Sequence, residues 1–239
     1  MQLEAKNITK FFGKQKILEN ISFSLHKGKI VGLLGKNGTG KSTLIKILCG
    51  YLIPQIGNVF FNNKKIISNI LDYKKIIGYL PENNPLYEEL YVKEYLLQVA
   101  SLYKMKKTKE KLNEIINETG LEKEQHKKVK ILSKGYKQRV GLAQTLIHNP
   151  MILILDEPSI GMDPNQLIEV RILLNKIKKD KIILFSSHNL NEIKAICDRV
   201  LILSGGRIAG DMEKNFETTD LLEKVFLQFT SRENNKQDT

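Results

Sequence analysis

Gly35-Lys36-Asn37-Gly38-Thr39-Gly40-Lys41-Ser42 leaves this chain few folds to choose from. The run reads G-x-x-x-x-G-K-S, and the periodicity changes across it. Residues 29–34 before it are short and mostly apolar, as in a buried strand. Residues 43–49 after it carry apolar side chains at helical spacing, and Gly50 offers a stop. Strand, glycine loop and helix in that order aim backbone N–H groups and the positive end of a helix at one point. A polyphosphate fits there, with Lys41 reaching the β- and γ-phosphates and the Ser42 hydroxyl ligating Mg²⁺. The glycines keep side chains away from the anion.

Bulk properties exclude more than they select. With 239 residues, 41% hydrophobic and 27% charged, the chain matches an ordinary globular protein able to bury a full core. No run approaches the roughly 20 apolar residues of a membrane span. The start, Met1-Gln2-Leu3-Glu4-Ala5-Lys6, lacks a secretion-signal layout, so a cytoplasmic location is expected. Cys49 and Cys197 both sit among aliphatic residues and read as small buried hydrophobes. The net charge of +12 could serve nucleic acid or an anionic membrane surface. Its lysines are scattered, however, which points to a composition bias; no nucleic-acid partner is expected.

Along the chain, residues 1–34 read as short strands, with Lys27-Gly28 as a turn before the loop's strand. Residues 58–61 and 75–80 read as further strands. The period then becomes helical: Val92, Tyr95, Leu96, Val99 and Leu102 share one face. Leu112, Ile115 and Ile116 mark a second helix, stopped by Gly120, and Tyr136, Val140, Ala143 and Ile147 a third. A helical segment at about 84–148 is thus inserted into an α/β core. That core resumes with aliphatic strands at 151–155, 181–185 and 200–203, and Gly205-Gly206 forms a hairpin turn. A small helix is expected at 221–229 and a polar tail at 231–239.

A second constellation gives the loop its chemistry. Ile152-Leu153-Ile154-Leu155-Asp156-Glu157 delivers two carboxylates at a strand end. Asp156 is placed to hold Mg²⁺ beside Ser42, and Glu157 to polarise a water for in-line attack on a γ-phosphate. His188 ends another aliphatic strand, on the edge where ligands gather in open parallel sheets.

With these residues in order, the chain resembles the ATP-binding subunits of ABC transporters over about residues 1–215. Gly35 to Ser42 looks like the family's Walker A loop, and Ile152 to Glu157 like Walker B with its catalytic glutamate. Leu132-Ser133-Lys134-Gly135-Tyr136, then Gln138-Arg139, resembles the L-S-G-G-Q signature. Ser159-Ile160-Gly161-Met162-Asp163 is similar to the D-loop, His188 to the switch histidine, and Phe12 to the aromatic that stacks on adenine. The resemblance implies a P-loop NTPase (RecA-like) α/β core, an N-terminal antiparallel β subdomain, and an inserted α-helical subdomain at about 84–148. Residues 1–215 would form the ATP-binding domain, and 216–239 a C-terminal helix and polar tail.

The resemblance also implies a mechanism. ATP is held by Phe12, Gly35, Lys36, Asn37, Gly38, Thr39, Gly40, Lys41, Ser42 and Thr43, with Asp163 nearby. Ser133 and Gly135 act on the ATP of a second copy in a head-to-tail dimer. Ser42 and Asp156 organise Mg²⁺, Glu157 is the general base, and His188 with Lys41 completes the catalytic set. The implied partners are a membrane permease and a second ATPase, identical or paralogous, with the pair peripheral on the cytoplasmic face of the inner membrane. Residues 82–100 would include the groove for the permease's cytoplasmic helix.

Three departures refine the resemblance. Glu82 stands where the family's Q-loop has glutamine, which leaves it as a candidate metal ligand. Lys134 and Tyr136 replace Gly and Gln of the signature. With Tyr79-Leu80-Pro81-Glu82 and the run Gln138-Arg139-Val140-Gly141-Leu142-Ala143-Gln144, these departures look like the ABC-2 exporter branch. Within it, with Asn165-Gln166 after Asp163-Pro164, the chain resembles the ATPase of the gliding-motility-associated transporter of Bacteroidetes. Soluble ABC ATPases acting on ribosomes or DNA are the rival. Those resemble paired cassettes or carry long coiled coils, and this chain has neither. A GTPase is disfavoured because Asn175-Lys176 lacks the aspartate of N-K-x-D.

Overall fold

The computed structural model describes residues 1–105 and 108–213. The helix expected at 221–229 and the tail lie outside the described residues. Two sheets organise the chain. β1 (Gln2–Phe12), β2 (Gln15–His26), β4 (Ile56–Phe61) and β5 (Lys64–Lys65) form an antiparallel sheet in the order β2-β1-β4-β5. β3 (Ile30–Leu34), β6 (Ile77–Leu80), β7 (Ile152–Asp156), β8 (Ile182–Ser187), β9 (Arg199–Ser204) and β10 (Arg207–Glu213) form the second, ordered β10-β9-β3-β8-β7-β6. It is parallel except for β10, which returns from β9 through Gly205-Gly206; both glycines have positive φ, 55° and 72°.

Every residue of β3, β7 and β8 is buried, as expected of strands covered on both faces. Alternation sorts their side chains between two cores. Ile30, Leu34, Leu153, Leu155, Ile183 and Phe185 face a cluster shared with the helices α3 (Val92–Leu102), α4 (Thr108–Glu118) and α5 (Lys134–Leu146). Val31, Leu33, Ile152, Ile154, Ile182 and Leu184 face a cluster shared with α1 (Lys41–Leu48) and the antiparallel sheet. Leu3, Ile8, Leu18, Ile21 and Leu25 are the antiparallel sheet's contribution. The sheet's C-terminal edge, where β3, β7 and β8 end, therefore emerges between two packed layers.

The structure alters several sequence expectations. Lys75 and Ile76 close a helix, α2 (Ile70–Ile76), and the strand begins only at Ile77. An apolar Ile-Ile pair spans the junction, so periodicity alone read the pair as strand. Leu102, expected on the buried face of α3, is 77% exposed, because Ala100 takes the inward position at the helix end. Three helices escaped the reading: α2, α6 (Pro164–Ile177) and α7 (Leu190–Ile196). Cys49 and Cys197 are both buried, as expected of small hydrophobes.

Candidate nucleotide site

The loop joining β3 to α1 closes on its own lysine. Lys41 is 6% exposed, and its Nζ donates to the carbonyls of Gly35 at 2.6 Å and Lys36 at 3.2 Å. Gly40 precedes the helix at φ 103°, a conformation that L side chains rarely adopt. A Cβ at Gly35 would sit 2.6 Å from the Leu203 carbonyl and 2.8 Å from Thr39 Oγ1, so only glycine lets the loop lie this close to β9. Lys36, Asn37 and Gly38 remain exposed at the loop's crest. Ser42 and Thr43 follow Lys41 on the first turn of α1, half-buried.

β7 brings its carboxylates to the same place. Asp156 is 2% and Glu157 4% exposed. Ser186, at the end of β8, ties them down: its hydroxyl donates to Asp156 Oδ1 at 2.6 Å and accepts from the Glu157 N–H at 3.0 Å. Glu157 takes φ 49°, in the left-handed region that costs a non-glycine residue on the order of 1 kcal/mol or more. That turn aims its carboxylate at the loop, where Oε1 lies 3.6 Å from Lys41 Nζ. Oε2 pairs with His188 Nδ1 at 2.8 Å. Burial pushes the Glu157 carboxyl above the usual carboxylate range, while His188 and Lys41 pull it back down. His188 itself is 54% exposed, so one edge of the pair opens outward. The structure thus brings together Gly35, Lys41, Asp156, Glu157 and His188.

A second cluster forms around α5. Ser133 caps that helix, accepting from the Tyr136 N–H at 3.4 Å. Gly135 follows at a point where a Cβ would meet Gln166 Oε1 and come within 2.9 Å of the Gly161 carbonyl. Gln166 and Asp163 form the capping box of α6, through Gln166 N–H to Asp163 Oδ1 at 2.9 Å and Asp163 N–H to Gln166 Oε1 at 3.2 Å. Ser133 and Asp163 are both exposed. Phe12, at the end of β1, is 49% exposed, with the Lys10 ammonium 5.4 Å from its ring centroid. Glu82 is exposed in the segment after β6.

A profile of the ABC transporter family matches residues 18–160, and an ABC transporter ATP-binding protein of Bacillus subtilis, YhcH, is 37% identical over 95% of this chain and 74% of its own length. The chain belongs to the ABC transporter family. The lantibiotic transport ATP-binding protein SrtF of Streptococcus pyogenes is 34% identical over 94% of the chain and 95% of its own length. The bacitracin transport ATP-binding protein BcrA of Bacillus licheniformis is 33% identical over 98% and 76%. Among solved structures, an ATP-binding subunit of an ABC transporter matches with a TM-score of 0.86 at 29% identity, covering 96% of this chain and all of that one. A cassette solved as a dimer in a post-hydrolysis state with ADP and phosphate matches with a TM-score of 0.80 at 25% identity, covering 88% and 98%.

This ABC subunit is accordingly a P-loop ATPase, and its hydrolysis of ATP is coupled to transport. Family members dimerise and work with membrane permeases, and among the described residues no helix is long and apolar enough to cross a membrane. Sequence reasoning missed the hydroxyls of Ser186, Ser187 and Ser159. A lone serine carries no spacing signal, and only the fold puts these beside the carboxylates.

Proposed function

We propose that this ABC subunit hydrolyses ATP at an interface between two copies, with Glu157 as general base, and powers an exporter. The observation that carries the reading is the Lys41–Glu157–His188 chain beside the phosphate loop. The buried Glu157 carboxylate takes the proton of the attacking water, His188 holds that carboxylate and meets the γ-phosphate from its open edge, and Lys41 neutralises the phosphates. The exposed Phe12 face stacks on adenine. Ser133 and Asp163 are exposed on either side of the buried Gly135, which suits this turn to closing on another copy's nucleotide. Residues 1–215 form the ATP-binding domain, with the helical subdomain at about 84–148.

The Ser42 hydroxyl and Asp156 carboxylate are hard oxygen donors of the kind Mg²⁺ prefers. Among the described residues no group of three or more His, Cys, Asp or Glu could hold a metal, which fits an ion bound by few protein oxygens plus phosphates and waters. Ser42 and Asp156 would hold it, with Glu82 as a further candidate ligand, and when bound it supplies charge neutralisation on the phosphates.

The permease partner has a place to dock. A cleft of 920 Å³ runs between the strand edge and the helical lobe, lined by Tyr79, Tyr87, Tyr95, Leu102, Tyr103 and His148 among others. It includes part of the 82–100 segment, would receive the permease's cytoplasmic helix, and would hold this subunit on the cytoplasmic face of the inner membrane. The export reading rests on SrtF and BcrA, and the gliding-motility branch on Glu82, Lys134, Tyr136 and Asn165-Gln166. Loss of spreading in a gliding strain deleted for this subunit tests that branch. The ATPase mechanism is tested by Glu157→Gln: turnover falls by about 10²-fold or more while ATP binding persists and the dimer accumulates. Unchanged hydrolysis would refute the role of Glu157.

A further inference from the structure

Two hydroxyls from different parts of the site meet on one carboxylate. Ser159, two residues beyond Glu157, donates to Glu192 Oε2 at 2.5 Å, and Ser187, which precedes His188, donates to the same oxygen at 2.8 Å. Both serines are buried, at 8% and 0% exposure. One carboxylate oxygen has lone pairs for two donors, so it joins the hydroxyls without leaving either unsatisfied. The Ser187 hydroxyl then accepts from the Asn189 N–H at 3.0 Å, and Asn189 Nδ2 reaches Glu192 Oε1 at 3.5 Å. Ser187 and Asn189 flank His188, so the backbone on both sides of the histidine is fixed by the orientation of Glu192. Glu192 sits in the first turn of α7, packed onto the sheet through Ile193.

On the other side, Ser159 begins the 159–163 loop. That loop contacts the α5 start, where Lys134 methylenes lie against the Gly161 position and the Gly161 carbonyl against Gly135. The tie through Glu192 therefore runs from the Ser133–Gly135 turn, whose Ser133 is exposed, to the residue that holds Glu157. We infer that Glu192 is a positioning residue: its carboxylate locks the 159–163 loop to the His188 backbone, so that the histidine is in register for catalysis only when that loop is seated. Glu192 touches no reacting atom and acts through Ser159 and Ser187. The inference rests on the roles proposed for Glu157 and His188.

Steady-state ATP hydrolysis by the full chain tests it, with Glu192→Ala, Glu192→Gln, the Ser159→Ala/Ser187→Ala double variant and the triple variant. Glu192→Ala lowers kcat about tenfold with KM for ATP nearly unchanged, since the histidine is misplaced while the phosphate loop is intact. Glu192→Gln keeps most of the rate, because its amide oxygen still accepts both hydroxyls. The double variant matches Glu192→Ala, and the triple variant is no slower than either, because all act on one linkage. Should Glu192→Ala fold poorly, the double variant reads the same quantity. A kcat within about twofold of the parent for these variants, a loss appearing in KM, or additive losses in the triple variant would overturn the inference. Glu157→Gln and His188→Ala serve as controls. If they too leave turnover intact, the reading of the site itself has failed; if they abolish it, only the role of Glu192 has.

Discussion

At the residue scale, Glu157 is the group on which pH acts. Its carboxyl titrates above the ordinary 4.5 because burial penalises the charge, and His188 is the largest influence pulling it back. The sign for stability follows. A carboxyl whose folded pKa is raised contributes stability that is fully present below the unfolded value of about 4.5 and is lost as pH rises through the folded one. For a general base the ionised form is the active one, so the acid limb of kcat/KM lies above the ordinary carboxylate range. Replacing His188 by Ala removes the main compensating charge, so the acid limb moves to higher pH while the plateau falls. A pH–rate profile of parent and variant checks both; a limb that stays fixed or moves down separates Glu157 from the titration. The sequence alone singled out Lys41, Asp156, Glu157 and His188, which the fold brings together, because each ends or starts a contiguous motif. It could not show that Glu157 is pointed at Lys41 by a left-handed backbone, since nothing in Asp-Glu-Pro-Ser encodes that turn visibly.

At the scale of elements, the strands were legible where they are continuous aliphatic runs, and the helices where apolar residues repeat over three turns. α6 had signals that went unread: Asp163 as N-cap, Pro164 at the first position, Gln166 closing the capping box, then Val170, Leu173 and Leu174 on one buried face. α7 has only Ile193 and Ile196 buried in seven residues, too few to show a period. Invisible in the sequence was how closely α5 lies on β6. A Cβ at Gly78 would stand 2.5 Å from the Thr145 carbonyl and 2.9 Å from both Thr145 Cγ2 and Pro150 Cγ. The first is backbone and the last a ring, so neither yields cheaply. Gly78→Ala is therefore destabilising by about 1–3 kcal/mol through overpacking, despite the better strand propensity of alanine. Chemical denaturation measures this as a lower midpoint at unchanged slope.

At the scale of the whole molecule, each chain divides its proposed site between two faces. The phosphate loop, Asp156, Glu157 and His188 gather at the end of β3, β7 and β8, whereas Ser133, Gly135 and Asp163 gather around the start of α5. If the second set serves another copy's nucleotide, damage to each set complements the other. A Lys41→Ala chain keeps a working Ser133 turn, and a Ser133→Arg chain keeps a working phosphate loop. Paired, they assemble one site from two intact halves and one from two broken halves. Random mixing makes half the dimers mixed, each with one good site of two, so activity recovers to about a quarter of the parent rate from two nearly inactive preparations. Were both halves supplied by the same chain, every site in the mixture would carry one lesion, and the rate would stay at the mean of the two variants. Hydrolysis measured against mixing ratio therefore decides the matter, with a maximum near equal amounts for a shared site and a straight line for a self-contained one.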